Sequence, residues 1–167
     1  MPFDVEQYRE ILRQWVAGVS IVTMRLGDGA LRGFTVSSFT WISRDPALIL
    51  ISVDRRHQSY ELLQRIDNFA VNILHTGQLE WGKRFAGMGT EMADPFADMD
   101  WRGAHTGAPI LPGVPGWLDC RIHQRLDIGD HGIVIGAVAA AGGTQMGDPL
   151  AYYRRTWGTF SPLTADD

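Results

Sequence analysis

Hydrophobic residues near the start of the chain follow a helical spacing. Within residues 3–17 one helical face would carry Tyr8, Ile11, Leu12, Trp15 and Val16. Asp4 is placed to cap this predicted helix, and Gln7 follows three residues later, as in a capping box. The chain is therefore expected to begin with an amphipathic helix.

Strand-like patterns follow the predicted helix. β-branched residues predict one strand over 18–24 and another over 31–39. The turn signal Gly27-Asp28-Gly29 lies between them and predicts a hairpin. After the break at Asp45-Pro46, the continuous apolar segment 47–53 is typical of a short buried strand.

The remaining regular elements alternate less evenly. Helices are expected over 57–66 and 78–85, with a strand over 68–74 between them. Two longer strands, 117–127 and 132–141, are expected on either side of a turn. Helices are thus scattered among strands that are joined mostly by turns, which favours an antiparallel barrel over a doubly wound parallel sheet.

Residues 86–116 show little periodicity and are dense in Gly, Pro, Asp and Met. Loops of this length inside a compact domain are usually functional. Anchors for an ordered excursion are expected at Phe96, Met99, Trp101 and Ile110. The tail over 149–162 is aromatic, and a short flexible acidic tip follows it. Residues 1–167 are expected to form a single domain.

Composition excludes several classes of protein. The net charge is −4 and the pI about 5.7, so a broad basic face for nucleic acid is not expected. The one cysteine, Cys120, cannot form an intrachain disulfide and is expected to be a small core residue. Neither a signal peptide nor a membrane-spanning stretch is recognised, so a cytoplasmic protein is expected.

Common catalytic signatures are missing from the sequence. There is no Walker A motif, no G-x-G-x-x-G opening a helix and no G-x-S-x-G elbow. The five histidines lack the spacing of zinc ligands. Metal-dependent and nucleophilic mechanisms are therefore not expected.

Small polar residues stand where strands should end, in four segments: 33–39, 52–54 with 58–60, 83–86, and 129–131. Each segment alone has an ordinary explanation. The first fits a half-buried strand, Ser59 fits a helix cap, Lys83 and Arg84 fit a solvated helix face, and 129–131 fits a turn. The functional hypothesis rests on their joint order.

That joint order resembles the flavin reductase-like domain family. More narrowly, it is similar to the small reductase components of two-component flavin-dependent monooxygenases. The resemblance extends from Tyr8 to Phe160 and is carried by residues 18–23, 33–39, 42–48, 68–74, 85–86, 119–121, 129–131, 136–138 and 149–154. It implies a mainly β fold with peripheral helices, a Greek-key antiparallel split β-barrel of the FMN-binding type. It also implies a homodimer with flavin near the interface.

The resemblance also assigns roles to residues. The positions implied to surround a flavin are Gly33, Phe34, Thr35, Val36, Ser37, Ser38, Ser52, Val53, Asp54, Gln58, Ser59, Arg84 and Phe85. Within that set, 35–38 and 52–54 would supply the pyrimidine edge, and Gln58 and Ser59 would approach the ribityl phosphate. Arg84 and Phe85 would contact the distal part of the flavin. Arg55 and Arg56 are further phosphate candidates.

The nicotinamide nucleotide is implied to lie beside the flavin. His131 matches the histidine of the family's Gly-Asp-His turn, where it would position the nucleotide or balance charge. The nucleotide-contacting tail of the family corresponds to Tyr152, Tyr153, Arg154 and Arg155. Arg155 replaces the usual glycine, which fits either a contact to a 2′-phosphate or a surface arginine without a role.

The implied reaction is hydride transfer from NADH or NADPH to FMN or FAD. Because the cofactors carry this chemistry, no side-chain nucleophile is needed. The reduced flavin would pass to a partner monooxygenase. Three alternatives stay open: a split-barrel oxidase of the pyridoxine-phosphate type, a non-catalytic flavin-binding or electron-relay protein, and a barrel that binds no flavin.

Overall fold

The computed structural model describes residues 3–88, 92 and 94–163. Its helices are α1 (Val5–Leu12), α2 (Gln58–Gln64) and α3 (Leu79–Phe85), with a short 3-10 helix at Thr76–Gln78. Its strands are β1 (Ala17–Gly18), β2 (Ser20–Arg25), β3 (Leu31–Val36), β4 (Thr40–Arg44), β5 (Ala47–Asp54), β6 (Asn68–Ile73), β7 (Arg102–Gly103), β8 (Pro109–Ile110), β9 (Gly116–Ile128), β10 (His131–Gly142), β11 (Leu150–Tyr153) and β12 (Thr156–Thr159).

One antiparallel sheet of seven strands forms the body of the protein, in the order β3-β2-β6-β9-β10-β5-β4. Its edge strands β3 and β4 follow each other in the chain, and only residues 37–39 link them. Since three residues span no more than about 10 Å, the sheet must curl until its edges meet at this link. β3 and β4 do not pair with each other, so the barrel stays split along that seam. The predicted mainly β split barrel is confirmed.

Two apolar clusters lie on the two faces of the sheet. The barrel interior is filled by residues such as Val22, Met24, Ile51, Phe69 and Val134. The second cluster covers the other face of β2 and includes Val19, Ile21, Leu74, Phe85, Phe96 and Leu150. α3, the excursion and the β11–β12 hairpin pack over the outside of the barrel. β2 is therefore buried on both faces.

The excursion after α3 is anchored as predicted. Phe96, Met99 and Ile110 are buried, and Trp101 packs against the second cluster. Buried polar groups add to this: the Asn72 carboxamide accepts a hydrogen bond from the Leu111 N–H at 2.8 Å, and buried Asp119 accepts one from the Thr106 N–H at 2.7 Å. These bonds fix the excursion to β6 and β9, since breaking them would leave buried polar groups unpaired.

The first helix differs from its prediction. Asp4 caps it as expected, accepting from the N–H groups of Glu6 and Gln7 at 2.9 and 3.1 Å. The helix ends at Leu12, however, and not near residue 17. The chain instead continues into β1, which pairs with β11. No residue of α1 is buried, and Ile11 and Trp15 are 65% and 78% exposed. The predicted stripe is therefore only partly helical: Tyr8, Ile11 and Leu12 lie on α1, Trp15 and Val16 lie beyond it, and none of the five is buried.

The strand predicted over 31–39 is also shorter. It ends at Val36, and the unpredicted β4 begins at Thr40. β4 gave a weak signal because it is a mostly exposed edge strand, with Trp41 74% exposed and an irregular register against β5. The β11–β12 hairpin likewise appears where only an aromatic tail was expected.

Cys120 lies in the barrel core, and burial raises the pKa of its thiol to about 12. Among the described residues, no group of three or more His, Cys, Asp or Glu side chains is placed to hold a metal ion. None of the described helices combines the length and apolarity needed to cross a bilayer. The predicted acidic tip falls in residues 164–167, which lie outside the described residues.

Candidate functional site

A cleft of about 390 Å³ opens at the seam of the barrel. We call it the seam cleft; it is lined by Phe34, Thr35, Val36, Ser37, Ser38, Ser52, Val53, Asp54, His57, Ser59, Phe85, Ala86 and His131. These residues come from β3, the 37–39 link, β5, the start of α2, the end of α3 and the start of β10. All four segments that the sequence singled out therefore meet at one place.

Strand register brings the distant segments together. β10 pairs with β5 so that His131 lies opposite Asp54 and Gly132 opposite Val53. The preceding hairpin turns through Gly129, whose φ of 60° is the left-handed conformation that glycine adopts without strain. The Asp54 and His131 positions are thus set by sheet pairing, which places side chains more rigidly than a loop does.

Hydroxyl groups around the cleft divide into two kinds. The Ser38 hydroxyl donates to the Ser52 carbonyl at 2.6 Å and accepts from the Ser52 N–H at 3.1 Å. The Thr35 hydroxyl donates to the Gly82 carbonyl at 2.7 Å. Ser37 and Ser59 make no side-chain hydrogen bond to any described residue. Ser38 and Thr35 therefore hold the walls, and Ser37 and Ser59 remain available to a ligand.

The cleft suits a flat ring that has one polar edge. Phe34, Val36, Val53 and Phe85 give apolar surface, while Ser37 and Ser59 give donors and acceptors. Ligand sites are mostly apolar clefts with a few placed polar groups. This donor set fits an isoalloxazine ring, whose dimethylbenzene end is apolar and whose pyrimidine edge carries hydrogen-bonding groups.

Charges at the rim are held in two pairs. Asp54 accepts from the Arg56 side chain at 2.6 and 3.0 Å, and this bond, followed by the one from the Arg56 N–H, holds the pKa of Asp54 well below its usual value. His131 Nδ1 lies 2.7 Å from Asp130 Oδ1, and that hydrogen bond lowers the pKa of Asp130. His131 consequently keeps Nε2 available, in a ring that is oriented by its neighbour.

The hairpin that carries His131 is hydrogen-bonded to α2 and to the turn that precedes it. The Tyr60 hydroxyl donates to the Asp127 carboxylate at 3.0 Å, and the Arg55 N–H donates to the Asp130 carbonyl at 3.0 Å. A Cβ on Gly132 would lie 2.6 Å from the Tyr60 ring, so only glycine permits this approach. The two sides of the cleft entrance are therefore joined through direct contacts.

The seam cleft continues into two neighbouring clefts. A middle cleft of about 140 Å³ shares four lining residues with it, Thr35, Val36, Ser37 and Ala86, and adds Val19, Met88, Tyr152 and Trp157. A third, the hairpin cleft, of about 260 Å³, shares Ser37 and Tyr152 with the middle one and is lined further by Leu12, Arg13, Trp15, Ala17, Arg154 and Arg155. Because neighbouring clefts share lining residues, we describe the three together as one groove.

Several predicted ligand residues lie outside this groove. Gln58 is exposed and does not line it, and Tyr153 donates to Gln14 at 3.3 Å. Arg84 donates to the Asp98 carboxylate at 3.0 Å and to the Pro95 carbonyl at 3.2 Å. Arg56 is paired with Asp54, and Arg55 lies 3.8 Å from Asp127. The structure gives these side chains partners within the protein or leaves them in solvent.

Gly33 does not line the groove but leaves room for the Phe85 ring, which does. A Cβ at position 33 would lie 2.7 and 2.9 Å from two carbons of the Phe85 ring. Because no real Cβ tolerates that distance, glycine is needed for Phe85 to reach the cleft wall. Gly33 is thus a positioning residue for the apolar end of the site.

Other residues of the groove were not predicted, notably His57, Met88, Trp157, Arg13 and Trp15, whereas Ala86 belongs to the predicted segment 83–86. His57 stands just before α2, two residues from Ser59, so its position beside the seam cleft could have been predicted. Arg13 and Trp15 were assigned to the first helix. They reach the groove only because the helix ends early and β1 pairs with β11.

The β11–β12 hairpin turns through two arginines with positive φ, 48° at Arg154 and 64° at Arg155. Two-residue hairpin turns with this backbone strongly favour Asn-Gly or Gly-Gly. A left-handed conformation costs a residue with a Cβ about 1–2 kcal/mol. The hairpin therefore carries strain at the end of the groove.

A larger cleft of about 450 Å³ lies elsewhere, among Arg25, Arg65, Asp67, Asn68 and Thr106. It contains none of the predicted site residues. We favour the seam cleft despite its smaller size, because available hydroxyls, an apolar wall and an oriented histidine converge there.

Comparison with known proteins gives a consistent result. A family model described as flavin reductase like domain matches residues 12–161. A flavin reductase of Pseudomonas putida is 36% identical over 160 residues, covering 96% of this chain and 92% of the relative. The reductase component of a flavin-dependent trigonelline monooxygenase of Acinetobacter baylyi is 33% identical over 165 residues, covering 97% of this chain. The chain spans only 51% of that relative's length.

Solved structures agree with this match. The NADH:FAD oxidoreductase SgcE6 of Streptomyces globisporus, in complex with NAD and FAD fragments, superposes with a TM-score of 0.85. It is 31% identical, and the alignment covers 97% of this chain and 96% of SgcE6. The resemblance found in the sequence is therefore confirmed.

Replacing Gly33 with Ala should weaken both the fold and the site. The new Cβ would force the Phe85 ring away from the wall, at a cost of about 1–3 kcal/mol in the free energy of unfolding. Urea denaturation measures this cost, and quenching of flavin fluorescence measures the expected rise in Kd. Gly18→Ala is the matched control, because nothing lies within 4 Å of a Cβ there. Equal effects of the two substitutions would contradict the role given to Gly33.

Proposed function

This chain belongs to the flavin reductase like domain family, and we propose that it uses the groove to reduce FMN or FAD with NADH or NADPH. The predicted flavin reductase activity is confirmed by the family match and by the Pseudomonas putida relative. What remains a proposal is the placement of that activity on particular residues. The observation that carries it is the convergence of the four sequence segments on the seam cleft.

In this proposal the flavin ring occupies the seam cleft. Phe85, Val36 and Val53 form its apolar bed, and the available hydroxyls of Ser37 and Ser59 bind its polar groups. When bound, the flavin supplies the two-electron acceptor chemistry, and the nicotinamide supplies the hydride. The bonds of Ser38 to Ser52 and of Thr35 to Gly82 keep the walls in place before the ligand arrives.

The protein contributes position and charge. His131, oriented by Asp130, is placed to hold the nicotinamide nucleotide and to balance the negative charge that develops at the pyrimidine edge. The groove brings both rings to adjacent positions, which removes much of the entropic cost of their encounter. Asp54 is neutralised by Arg56, so it adds little repulsion toward an anionic flavin.

We further propose that the reduced flavin leaves the groove for a monooxygenase. The Acinetobacter baylyi relative is named as the reductase component of such a system. On that view flavin is a substrate that diffuses between two proteins. Because nicotinamide nucleotides are intracellular reductants, the cytoplasm is the proposed site of action. Separately, residues 1–167 are proposed to act as one domain.

A homodimer is proposed from the uncovered face of α1. On α1, Tyr8, Ile11 and Leu12 are each about half or more exposed, and Val16, in the segment after the helix, is exposed as well. Contiguous exposed apolar surface marks an interaction site in soluble proteins. Leu12 also lines the hairpin cleft, so a partner bound at this helix would lie beside one end of the groove. Sedimentation equilibrium tests this proposal, which a species with the mass of one chain would contradict.

The activity is tested by mixing the protein with NADH or NADPH and with FMN, FAD or riboflavin, and following the nicotinamide absorbance. We expect at least one flavin to accelerate oxidation of at least one nucleotide. Tight flavin binding without nucleotide oxidation would instead favour the electron-relay alternative. No flavin binding would contradict the proposed site.

Replacing His131 with Ala should raise KM for the nicotinamide nucleotide by about tenfold, the effect of losing one hydrogen bond worth roughly 1.4 kcal/mol. The Kd for flavin should change much less. His123→Ala is the control, since His123 is exposed on β9 and makes no side-chain hydrogen bond to a described residue. Equal losses of nucleotide and flavin binding in the His131 variant would contradict its assigned role.

A further inference from the structure

We propose that the hairpin cleft binds the adenosine 2′-phosphate of NADPH, so that Arg155 makes the protein prefer NADPH over NADH. The inference rests on the proposed function, because it assumes that the nicotinamide nucleotide lies in the groove. It goes further by selecting one nucleotide and by assigning Trp15, Arg154 and Arg155 to a common subsite.

Positively charged side chains line the hairpin cleft. Its lining contains Arg13, Arg154 and Arg155 and no acidic residue. Arg13 forms a salt bridge with Glu10 on α1, so its charge is partly neutralised by that carboxylate. Arg154 and Arg155 form no salt bridge with a described carboxylate, and Arg154 lies 5.6 Å from the centre of the Tyr153 ring. Two guanidinium groups are thus left for an anionic ligand.

The turn that carries Arg155 has a strained backbone. Tyr153 pairs with Thr156, so the hairpin needs a two-residue turn, and both turn residues have positive φ. Glycine at position 155 would make the same turn without strain. The arginine is not required by the fold and works against it. Strained residues of this kind concentrate at binding sites, where the side chain performs a task.

The neighbouring groups fit an adenosine. Trp15 lines the cleft and is 78% exposed, which offers a flat face for stacking an adenine. Ser37 and Tyr152 join the cleft to the middle of the groove. A nucleotide whose nicotinamide lies beside the seam cleft would therefore extend its adenosine toward Arg155.

The chemistry favours a 2′-phosphate over the adenosine half of FAD. Both dinucleotides carry a pyrophosphate, but only NADPH adds a terminal phosphate on the ribose. Arginine binds phosphate through two parallel hydrogen bonds, a geometry that lysine or a hydroxyl cannot supply. Two arginines at the far end of the groove match an additional doubly charged group at that end.

Steady-state kinetics with FMN as the acceptor test the preference, because FMN brings no adenosine of its own. The wild-type protein should show a kcat/KM for NADPH at least tenfold above that for NADH. Arg155→Gly should reduce this ratio by tenfold or more through KM for NADPH, while Arg155→Lys should retain part of it. Gln145→Gly is the matched control: Gln145 also has a positive φ, 56°, but lies outside the groove. Its ratio should equal that of the wild type.

Binding provides a readout without turnover. In titration calorimetry, adenosine 2′,5′-bisphosphate should bind at least tenfold more tightly than AMP, and Arg155→Gly should remove the difference. Equal binding of the two probes by the wild type, or equal use of NADH and NADPH, would overturn the inference. So would an Arg155→Gly variant whose preference between FAD and FMN changes instead. If neither nucleotide reduced any flavin, the proposed function would fail, and the calorimetry would still decide whether the phosphate subsite exists.

Discussion

The three-residue link between β3 and β4 is the constraint on which the rest of the structure depends. The two strands occupy opposite edges of a seven-stranded sheet, yet they are neighbours in the chain. The sheet can satisfy both conditions only by curling until its edges meet at residues 37–39. Ser38 strengthens the closure by exchanging hydrogen bonds with the backbone of Ser52 on β5. The remaining gap between the edges is the seam cleft.

The rest of the architecture supports that gap from outside. α3 and the excursion bury one face of β2 and deliver Phe85 to the cleft wall, where Gly33 leaves room for its ring. The β9–β10 hairpin brings His131 opposite Asp54 and is held by Tyr60 and Arg55. On the proposed function the protein needs no reactive side chain, because strand pairing and packing would position the two flat rings and the rings perform the reaction.

The elements with strong local signals lie close to where the sequence predicts them. The apolar segment of β5, the long β9–β10 hairpin and the cap at Asp4 were predictable, because each depends on neighbours in the chain. β4 and the early end of α1 were not, since both follow from pairing with distant strands. The residues of the groove divide in the same way, into those predicted from the sequence and those that only the tertiary structure brings there. Ser37, Ser52 and His131 were found through the family resemblance, whereas Arg13 and Trp15 join the groove only through the tertiary arrangement.

Amide chemical shifts during titration with FMN test the central claim most directly. The account predicts that the largest changes fall on residues 34–38, 52–54 and 131, which line the seam cleft. Residues 25–27, 65–68 and 106–108, which line the larger cleft on another part of the surface, should change little. Shifts concentrated in that larger cleft, with the seam residues unchanged, would contradict the account.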